Sequence, residues 1–381
     1  MSEQQTLLEY FASLPDPRVD RTKLHALGDI LVIAVSAVIC GAEGWTDIAE
    51  FGKSKEEWLR GFLPLANGIP SHDTFRDVFM RLDPATFEAC FVSWVRSLGP
   101  ITGQVSIDGK TLRRSHDQGQ GKSALHLVSA WASECRLVLG QVATDEKSNE
   151  ITAIPELLAL LDVNGCLVTI DAMGCQTEIA AQIVEQGGDY LLAVKDNQPN
   201  LAADVKEIFD LEFAQAEPFD QFRHDYAKTV NKGHGRIEIR ECWTTSDPDL
   251  LAYLRKGAAW AGLQTIALVR ATRRVNGDES MQDRYYISSV AGDAHSILQA
   301  ARHHWGVENS LHWVLDVVFR EDQARMRRGH SSHNFALLRH IALNLVRNQK
   351  SGPKSVRGKR LKAAWDHDFL FNILFNHNLD P

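Results

Sequence analysis

The stretch Val105-Ser106-Ile107-Asp108-Gly109-Lys110 is a short apolar run that ends at an acidic residue. A second run, Cys166-Leu167-Val168-Thr169-Ile170-Asp171-Ala172, ends in the same way. Runs of this kind predict buried strands. A carboxylate at the end of a buried strand is exposed at the sheet edge but anchored by rigid backbone, which is how α/β sheets place functional groups. Asp108 and Asp171 are therefore candidate site residues.

Strand and helix patterns alternate over residues 100–200. The predicted strands are Val105–Asp108, Leu125–Ala132, Arg136–Ala143, Leu167–Asp171 and Tyr190–Lys195, and the predicted helices are Ile151–Leu161 and Thr177–Gln186. Short polar turns between the first three strands favour an antiparallel meander, whereas the later strand–helix–strand connections favour parallel pairing. The pattern predicts an α/β fold with a mixed sheet.

Helical patterns precede this segment. Residues 1–98 predict several short helices, one of which begins after a candidate N-cap at Ser71. Such a set is typical of a helix-turn-helix DNA-binding module. It is as typical of a helical bundle that packs on the next domain.

The rest of the chain predicts an insertion, further helices and a tail. Residues 200–292 predict a β-rich insertion with a tight turn around His234. The expected strands of the insertion are 237–240, 265–271 and 284–289, and the expected later helices are 297–318 and 332–347. We expect three parts, which are an N-terminal helical domain at 1–98, a catalytic domain at 99–348 and a basic C-terminal tail at 349–381.

A third acidic residue, Glu308, lies within the helix predicted at 297–318. Two Asp and one Glu suffice to hold two divalent cations about 3.5–4 Å apart, which is the chemistry of phosphodiester cutting and joining. In a regular helix Asp322 falls within about 40° of Glu308 and Asp316 lies further round, so either is an alternative third ligand. The acids also have structural interpretations, since Asp171 could cap a helix and Glu308 alone is typical of a solvated helix face.

Charge is distributed unevenly along the chain. The formal net charge of −8 alone argues against nucleic-acid binding, yet residues 323–365 contain 11 Lys or Arg and no Asp or Glu. This asymmetry is typical of a basic arm that binds a polyanion, attached to an acidic body. The six cysteines form no CxxC pair, the chain begins without a signal-peptide pattern, and the longest apolar stretch, Ile30–Cys40, is too short for a bilayer. We expect a cytoplasmic, nucleoid-associated protein.

Four segments closely resemble the DDE transposases of bacterial insertion sequences, in the branch of H-repeat-associated proteins. These segments are Ser106–Thr111, Thr169–Gln176, Ala193–Gln198 and His304–Trp313. The resemblance runs nearly end to end and includes 14–18, 71–75 and 339–344. It implies a ribonuclease-H-like core with a β-rich insertion, and Mg²⁺-dependent cutting and strand transfer at element ends. It maps the metal-binding acids onto Asp108, Asp171 and Glu308, with two Mg²⁺ ions for which Mn²⁺ can substitute, and pairing of two DNA ends implies a homodimer.

The resemblance is incomplete at the residues that contact phosphate. In the wider family a Tyr and an Arg often precede the glutamate and a Lys stands seven residues after it; here that position is Leu315. Other residues are therefore expected to replace these phosphate contacts, together with further cations of the chain. The expected DNA contacts are Lys110, Lys195, Arg302, His304, His312, Arg320, Arg325, Arg327, Arg328 and the rest of the stretch 325–362. Three alternatives stay open: a relict that no longer transposes, a DNA-binding protein without catalysis, and a general nuclease of the same fold.

Overall fold

One mixed sheet lies at the centre of the computed structural model, which describes residues 7–116, 123–144, 150–214, 224–233 and 235–375. The strands are β1 (Gly103–Thr111), β2 (His126–Ala132), β3 (Leu137–Thr144), β4 (Cys166–Ile170), β5 (Asp189–Val194), β6 (His224–Gly233), β7 (Arg236–Thr245), β8 (Thr265–Val275) and β9 (Asp278–Ser288). Their order across the sheet is β3-β2-β1-β4-β5-β9-β8-β7-β6.

The α-helices flank this sheet and also form a separate N-terminal group. They are α1 (Leu7–Phe11), α2 (Leu27–Cys40), α3 (Trp45–Ser54), α4 (Glu56–Leu59), α5 (His72–Arg81), α6 (Pro84–Ser97), α7 (Glu150–Leu160), α8 (Thr177–Glu185), α9 (Pro199–Phe213), α10 (Pro248–Ala252), α11 (Ala294–His304), α12 (Trp313–Val317), α13 (Ser331–Asn348), α14 (Val356–Trp365) and α15 (His367–Phe375). A π-helical turn, Glu308–His312, directly precedes α12.

The predicted mixed sheet is confirmed. Strands β1, β2 and β3 form an antiparallel meander, and β4 pairs in parallel with both β1 and β5. Helix α7 lies in the connection from β3 to β4, which passes β2 and β1 in the sheet. Helix α8 lies in the crossover from β4 to β5, because parallel neighbours need a long connection. Val105 and Ile107 are fully or almost fully buried, so the apolar run before Asp108 anchors that residue in the core.

The predicted β-rich insertion is confirmed, and it contains one strand, β6, that the sequence analysis did not predict. Strands β6 to β9 are antiparallel, and β9 pairs with β5, so the insertion continues the central sheet. Helix α9, which the sequence analysis missed, begins this region and buries Leu201, Val205, Ile208 and Phe209. His234, where a tight turn is expected, lies outside the described residues.

The N-terminal helices pack on the rest of the protein as a bundle. Helix α2 is buried along its length and packs against α13 and α14. Ser71 caps α5 as predicted, since its side chain accepts a hydrogen bond from the Thr74 N–H. The Glu88 carboxylate of α6 accepts a 2.8 Å hydrogen bond from the Gln141 N–H of β3. DNA binding by these helices stays a prediction.

Hydropathy does not single out a membrane span in this group. No single helix among those described is long and apolar enough to cross a membrane. Helices α2 and α3 reach that length and composition only together, and the two are bent by 97° at the break between them.

The segment after residue 348, expected as a basic C-terminal tail, forms α14 and α15 and packs on the bundle. The Arg360 guanidinium donates hydrogen bonds to the Val38 and Ile39 carbonyl oxygens at the end of α2 (2.9 and 3.1 Å). Helix ends leave such carbonyls without intrahelical partners, so a buried arginine is well suited to them. Arg339, Arg347 and Lys359 also point into the protein and bond to carbonyls or lie over aromatic rings. The basic stretch is therefore not one continuous DNA-binding arm.

Candidate functional site

Asp108, Asp171 and Glu308 line one cleft at the edge of the sheet, with a volume of about 200 Å³. In the parallel pairing of β1 with β4, Ile107 lies beside Ile170, so the two aspartates that follow are neighbours. Glu308 is exposed at the start of the π-helical turn and faces the same cleft. The convergence that the sequence analysis required of these three acids is therefore present.

A buried hydrogen-bond network fixes the three elements that carry the acids. The Gln104 Nε2 of β1 lies 2.9 Å from the Thr169 hydroxyl of β4 and 3.0 Å from the Ala300 carbonyl oxygen of α11. Thr169 also contacts the Ser106 hydroxyl and the His304 ring, each at 3.0 Å. Buried polar groups that are satisfied in this way specify one arrangement of the elements around them.

Backbone N–H groups orient the two aspartates. Asp171 accepts a 2.9 Å hydrogen bond from Met173 N and caps the short helical turn Ala172–Gly174, as the structural interpretation suggested. Asp108 accepts a 2.9 Å hydrogen bond from Gly109 N through one oxygen, and its other oxygen lies 3.6 Å from the His312 ring. Asp171 therefore caps this helical turn and lines the cleft at the same time.

The electrostatics of the cleft are those of crowded carboxylates. Burial, followed by the charges of Asp171, Glu150 and Glu308, raises the pKa of Asp108 to about 7. Burial and the charge of Glu150 also raise the pKa of Asp171, although Lys195 opposes the shift. Catalytic sites often contain carboxyl groups so close together that they cannot all be ionised at once.

The donor chemistry of the cleft fits a hard divalent cation, although the acids do not enclose one point. Within the described ranges, no group of three or more His, Cys, Asp or Glu side chains is arranged to hold a metal ion. Carboxylate oxygens are the ligands that Mg²⁺ and Mn²⁺ prefer. A cation between Asp108 and Asp171 would relieve the repulsion that raises their pKa values.

Glu150 is a fourth acidic residue of this region, and the sequence analysis missed it. Its carboxylate, at the start of α7, lies 2.7 Å from the His126 Nε2, and both side chains are buried. A Cβ atom on Gly109 would overlap both groups, so glycine is required beside Asp108. Glu150 is far from Asp108 in the sequence. Gly109 is the only local feature that indicates another side chain packed closely beside Asp108.

Lys110 is not placed to contact DNA, because its ammonium group is held inside the protein. It pairs with Asp316 and with Glu321 (2.7 Å), whose side chain is only 1% exposed. Burial acts to lower the pKa of Lys110, but these two carboxylates outweigh it and raise the pKa. Asp316 is therefore already paired with Lys110. Asp322 lies 3.4 Å from Arg113, outside the cleft. Neither is placed as the alternative third ligand.

The helix expected at 297–318 is interrupted, which changes the positions of its histidines. The π-helical turn inserts between α11 and α12, so a uniform angle per residue does not apply across Glu308. Burial lowers the pKa of His304 and of His312 to about 4, so both rings are neutral at pH 7. His304 contacts the Thr169 hydroxyl and His312 packs beside Asp108, and neither ring supplies the positive charge expected of DNA contacts.

Most of the other expected DNA contacts lie away from the cleft. Arg302 donates to Asn231 (3.3 Å), and Arg320 pairs with Glu43 (3.1 Å). Arg325 and Arg328 are exposed, and Arg327 donates to the Arg114 carbonyl oxygen (3.4 Å). The cations that line the cleft are Lys195, which was expected, and Arg284 of β9, which was not.

Lys110→Met is expected to lower the free energy of unfolding by about 3 kcal/mol, because Glu321 would be left buried with a weakened counter-charge. Urea denaturation measures the change. Lys53→Met is the matched control, since the Lys53–Glu50 pair is exposed and is worth less than about 1 kcal/mol. Equal losses in the two variants would contradict the buried network.

Asp108→Asn is expected to stabilise the metal-free protein at high pH. The pKa of Asp108 is about 7 in the folded state and 3.8 in the unfolded chain, so its charge destabilises the fold. That penalty is absent below the lower pKa and grows as the pH rises towards the higher one. We expect a gain of about 2 kcal/mol at about pH 8 and none near about pH 4, measured by urea denaturation in EDTA. A variant no more stable than wild type at the higher pH would argue against the crowded carboxylates.

Comparisons with known proteins give the family. The family model "Transposase DDE domain" matches residues 100–345, and the model "DDE_Tnp_1-associated" matches residues 8–95. The "H repeat-associated putative transposase YhhI" of Escherichia coli (strain K12) is 41% identical over 99% of this chain and 100% of its own length. The "Putative transposase YncI" of Escherichia coli O157:H7 is 41% identical over 97% of this chain and 94% of its own length.

Two further similarities are partial or distant. "Inactive transposase YbfQ" of Escherichia coli (strain K12) is 42% identical over 20% of this chain and 90% of its own length. A piggyBac transposase synaptic complex with hairpin DNA has a TM-score of 0.37 at 10% identity, over 96% of this chain and 75% of that chain, which is too low to imply a shared function. The full-length matches carry the conclusion: the chain belongs to the DDE transposase family, in its H-repeat-associated branch, and its mixed sheet with flanking helices has the ribonuclease-H-like fold.

Proposed function

We propose that this protein cuts DNA at the ends of an insertion sequence and joins those ends to target DNA, in a reaction that depends on divalent cations. The observation that carries the proposal is the convergence of Asp108, Asp171 and Glu308 on one cleft of a DDE transposase fold. Two strand ends and one interrupted helix supply the three acids, and Gln104 and Thr169 tie these elements together.

Asp108, Asp171 and Glu308 are the residues that would hold Mg²⁺ or Mn²⁺. The chemistry that two such ions supply when bound is activation of the attacking oxygen and stabilisation of the leaving oxygen of a phosphodiester. Backbone hydrogen bonds from Gly109 and Met173 keep one oxygen of each aspartate in place, which limits the reorganisation required of the site.

The surrounding side chains hold the acids in place and supply positive charge for the DNA. The neutral ring of His312 covers one side of Asp108, and the buried Lys110 links β1 to the segment that follows Glu308. Lys195 and Arg284 supply positive charge at the cleft for a phosphate. The same cleft would accept water as the nucleophile in cleavage and a DNA 3′-hydroxyl in strand transfer, since little covalent work falls to the protein.

DNA is the proposed partner, and a homodimer paired on two DNA ends is the proposed assembly. A relict that binds DNA without cutting it is the second candidate, because the acids in the described residues line the cleft without enclosing a cation site. A general nuclease of the same fold would cut without preference for element ends and would form no joined products.

The test is cleavage and strand transfer on labelled DNA that carries the repeats flanking the protein's own locus, with Mg²⁺ or Mn²⁺. We expect Asp108→Asn, Asp171→Asn and Glu308→Gln each to lose at least about 1000-fold in rate, since each removes a charge that acts on the transition state. Asp322→Asn is the matched control, because this acid lies outside the cleft, and it should retain activity.

Each other outcome supports a different function. Binding without cleavage by the wild type would favour the relict. Cleavage of any DNA without joined products would favour the general nuclease. Retained cleavage in Glu308→Gln would contradict the assignment of the third acid.

A further inference from the structure

Two cations face each other across neighbouring strands at the mouth of the catalytic cleft. In the antiparallel pairing of β5 with β9, Val194 lies opposite Tyr285, so Lys195 and Arg284 are the residues next to the last cross-strand pair. Both residues line the cleft with Asp108, Asp171 and Glu308. The sheet therefore places positive charge directly beside the acidic centre.

Arg284 is held in position without a carboxylate partner in the described part of the chain. Its guanidinium lies 4.7 Å from the centre of the Trp305 ring and donates a 2.7 Å hydrogen bond to Gln282. Other arginines of the insertion are paired with acids, as Arg270 is with Asp283 and Arg274 is with Glu279. Arg284 is thus orientated in advance, and its charge is not neutralised by an ion pair.

The cleft continues into a second depression of about 410 Å³ along β5, β9 and α9. Lys195 and Arg284 line both spaces, and Lys206 of α9 lines the far part. Lys195 and Lys206 are exposed and form no ion pair within the described ranges. The acids along this groove are Asp283, which Arg270 neutralises, and Asp196, which is exposed. Three cations that are available to a ligand therefore line the groove beside the catalytic acids.

We propose that this groove binds the phosphodiester backbone of one DNA strand beside the site of cleavage, with Arg284, Lys195 and Lys206 contacting its phosphates. A planar guanidinium makes two parallel hydrogen bonds to a phosphate, and its fixed position reduces the entropy lost on binding. The three cations line connected depressions of the surface, and they suit the phosphates of one backbone better than the two backbones of a duplex, about 12 Å apart across the major groove. The proposal rests on the proposed function only in taking DNA as the ligand.

The test is binding of a fluorescently labelled 12-nucleotide single strand and of its duplex, measured in EDTA over a series of salt concentrations. The double variant Arg284→Ala/Lys206→Ala should bind the single strand about 10-fold more weakly than wild type at low salt. The slope of log K against log salt should fall by about 1.4, which is about 0.7 for each lost phosphate contact. The duplex should lose less affinity than the single strand.

The matched control is Arg274→Ala/Lys232→Ala, which removes the same charge from the same β-rich insertion outside the groove. Equal weakening in the two double variants would show an effect of net charge alone and would overturn the groove. Unchanged single-strand binding in Arg284→Ala/Lys206→Ala would also overturn the groove. A greater loss of affinity for the duplex than for the single strand would do the same. Arg284→Lys restores the charge and should recover most of the salt slope, and its failure to do so in a folded protein would also count against the proposal.

The same assay separates this proposal from the proposed function. The binding measurement needs neither a divalent cation nor turnover, so its outcome does not depend on catalysis. If the wild type never cleaves DNA but the Arg284→Ala/Lys206→Ala variant binds the single strand more weakly, the groove is supported and the proposed activity is not. If the Arg284→Ala/Lys206→Ala variant cleaves DNA normally and binds the single strand as wild type does, the proposed activity is supported and the groove is not.

Discussion

The parallel pairing of β1 with β4 is the constraint on which the rest of the site depends. It sets Ile107 beside Ile170, and the two aspartates that follow are neighbours as a direct result. A shift of one residue would turn one of them to the opposite face of the sheet. The Gln104–Thr169–Ala300 contacts fix this register to α11, and so hold the glutamate segment near the same edge. Catalytic geometry and fold specificity are thus set by the same buried hydrogen bonds.

Positive charge is divided between two roles. Lys110, Arg339 and Arg360 are buried and neutralise acids or cap carbonyls, so they stabilise the architecture around the cleft. Among the residues that the structure describes, Lys195 and Arg284 lie beside the acids and have no such partners. Positive charge is therefore available beside the catalytic acids, although the basic residues are most dense near the C-terminus of the sequence.

The sequence was sufficient for the features that depend on local pattern. The apolar runs before Asp108 and Asp171 predicted their strands, and chain connectivity predicted which strands are parallel. It was insufficient where tertiary contacts decide. The π-helical turn at Glu308 breaks the regular spacing from which Asp322 was placed, and the buried partners of Lys110 are about 200 residues away in the chain. Glu150 and Arg284 reach the site through strand pairing and helix packing that no short motif records.

The central claim is that Asp108, Asp171 and Glu308 act together as a site for divalent cations. Calorimetric titration of Mn²⁺ into the wild type, Asp108→Asn, Asp171→Asn and Glu308→Gln, with DNA present, measures this without requiring turnover. We expect about two ions bound per protein chain in the wild type, and weaker or fewer ions in every variant. The same affinity and number of bound ions in all four proteins would contradict it.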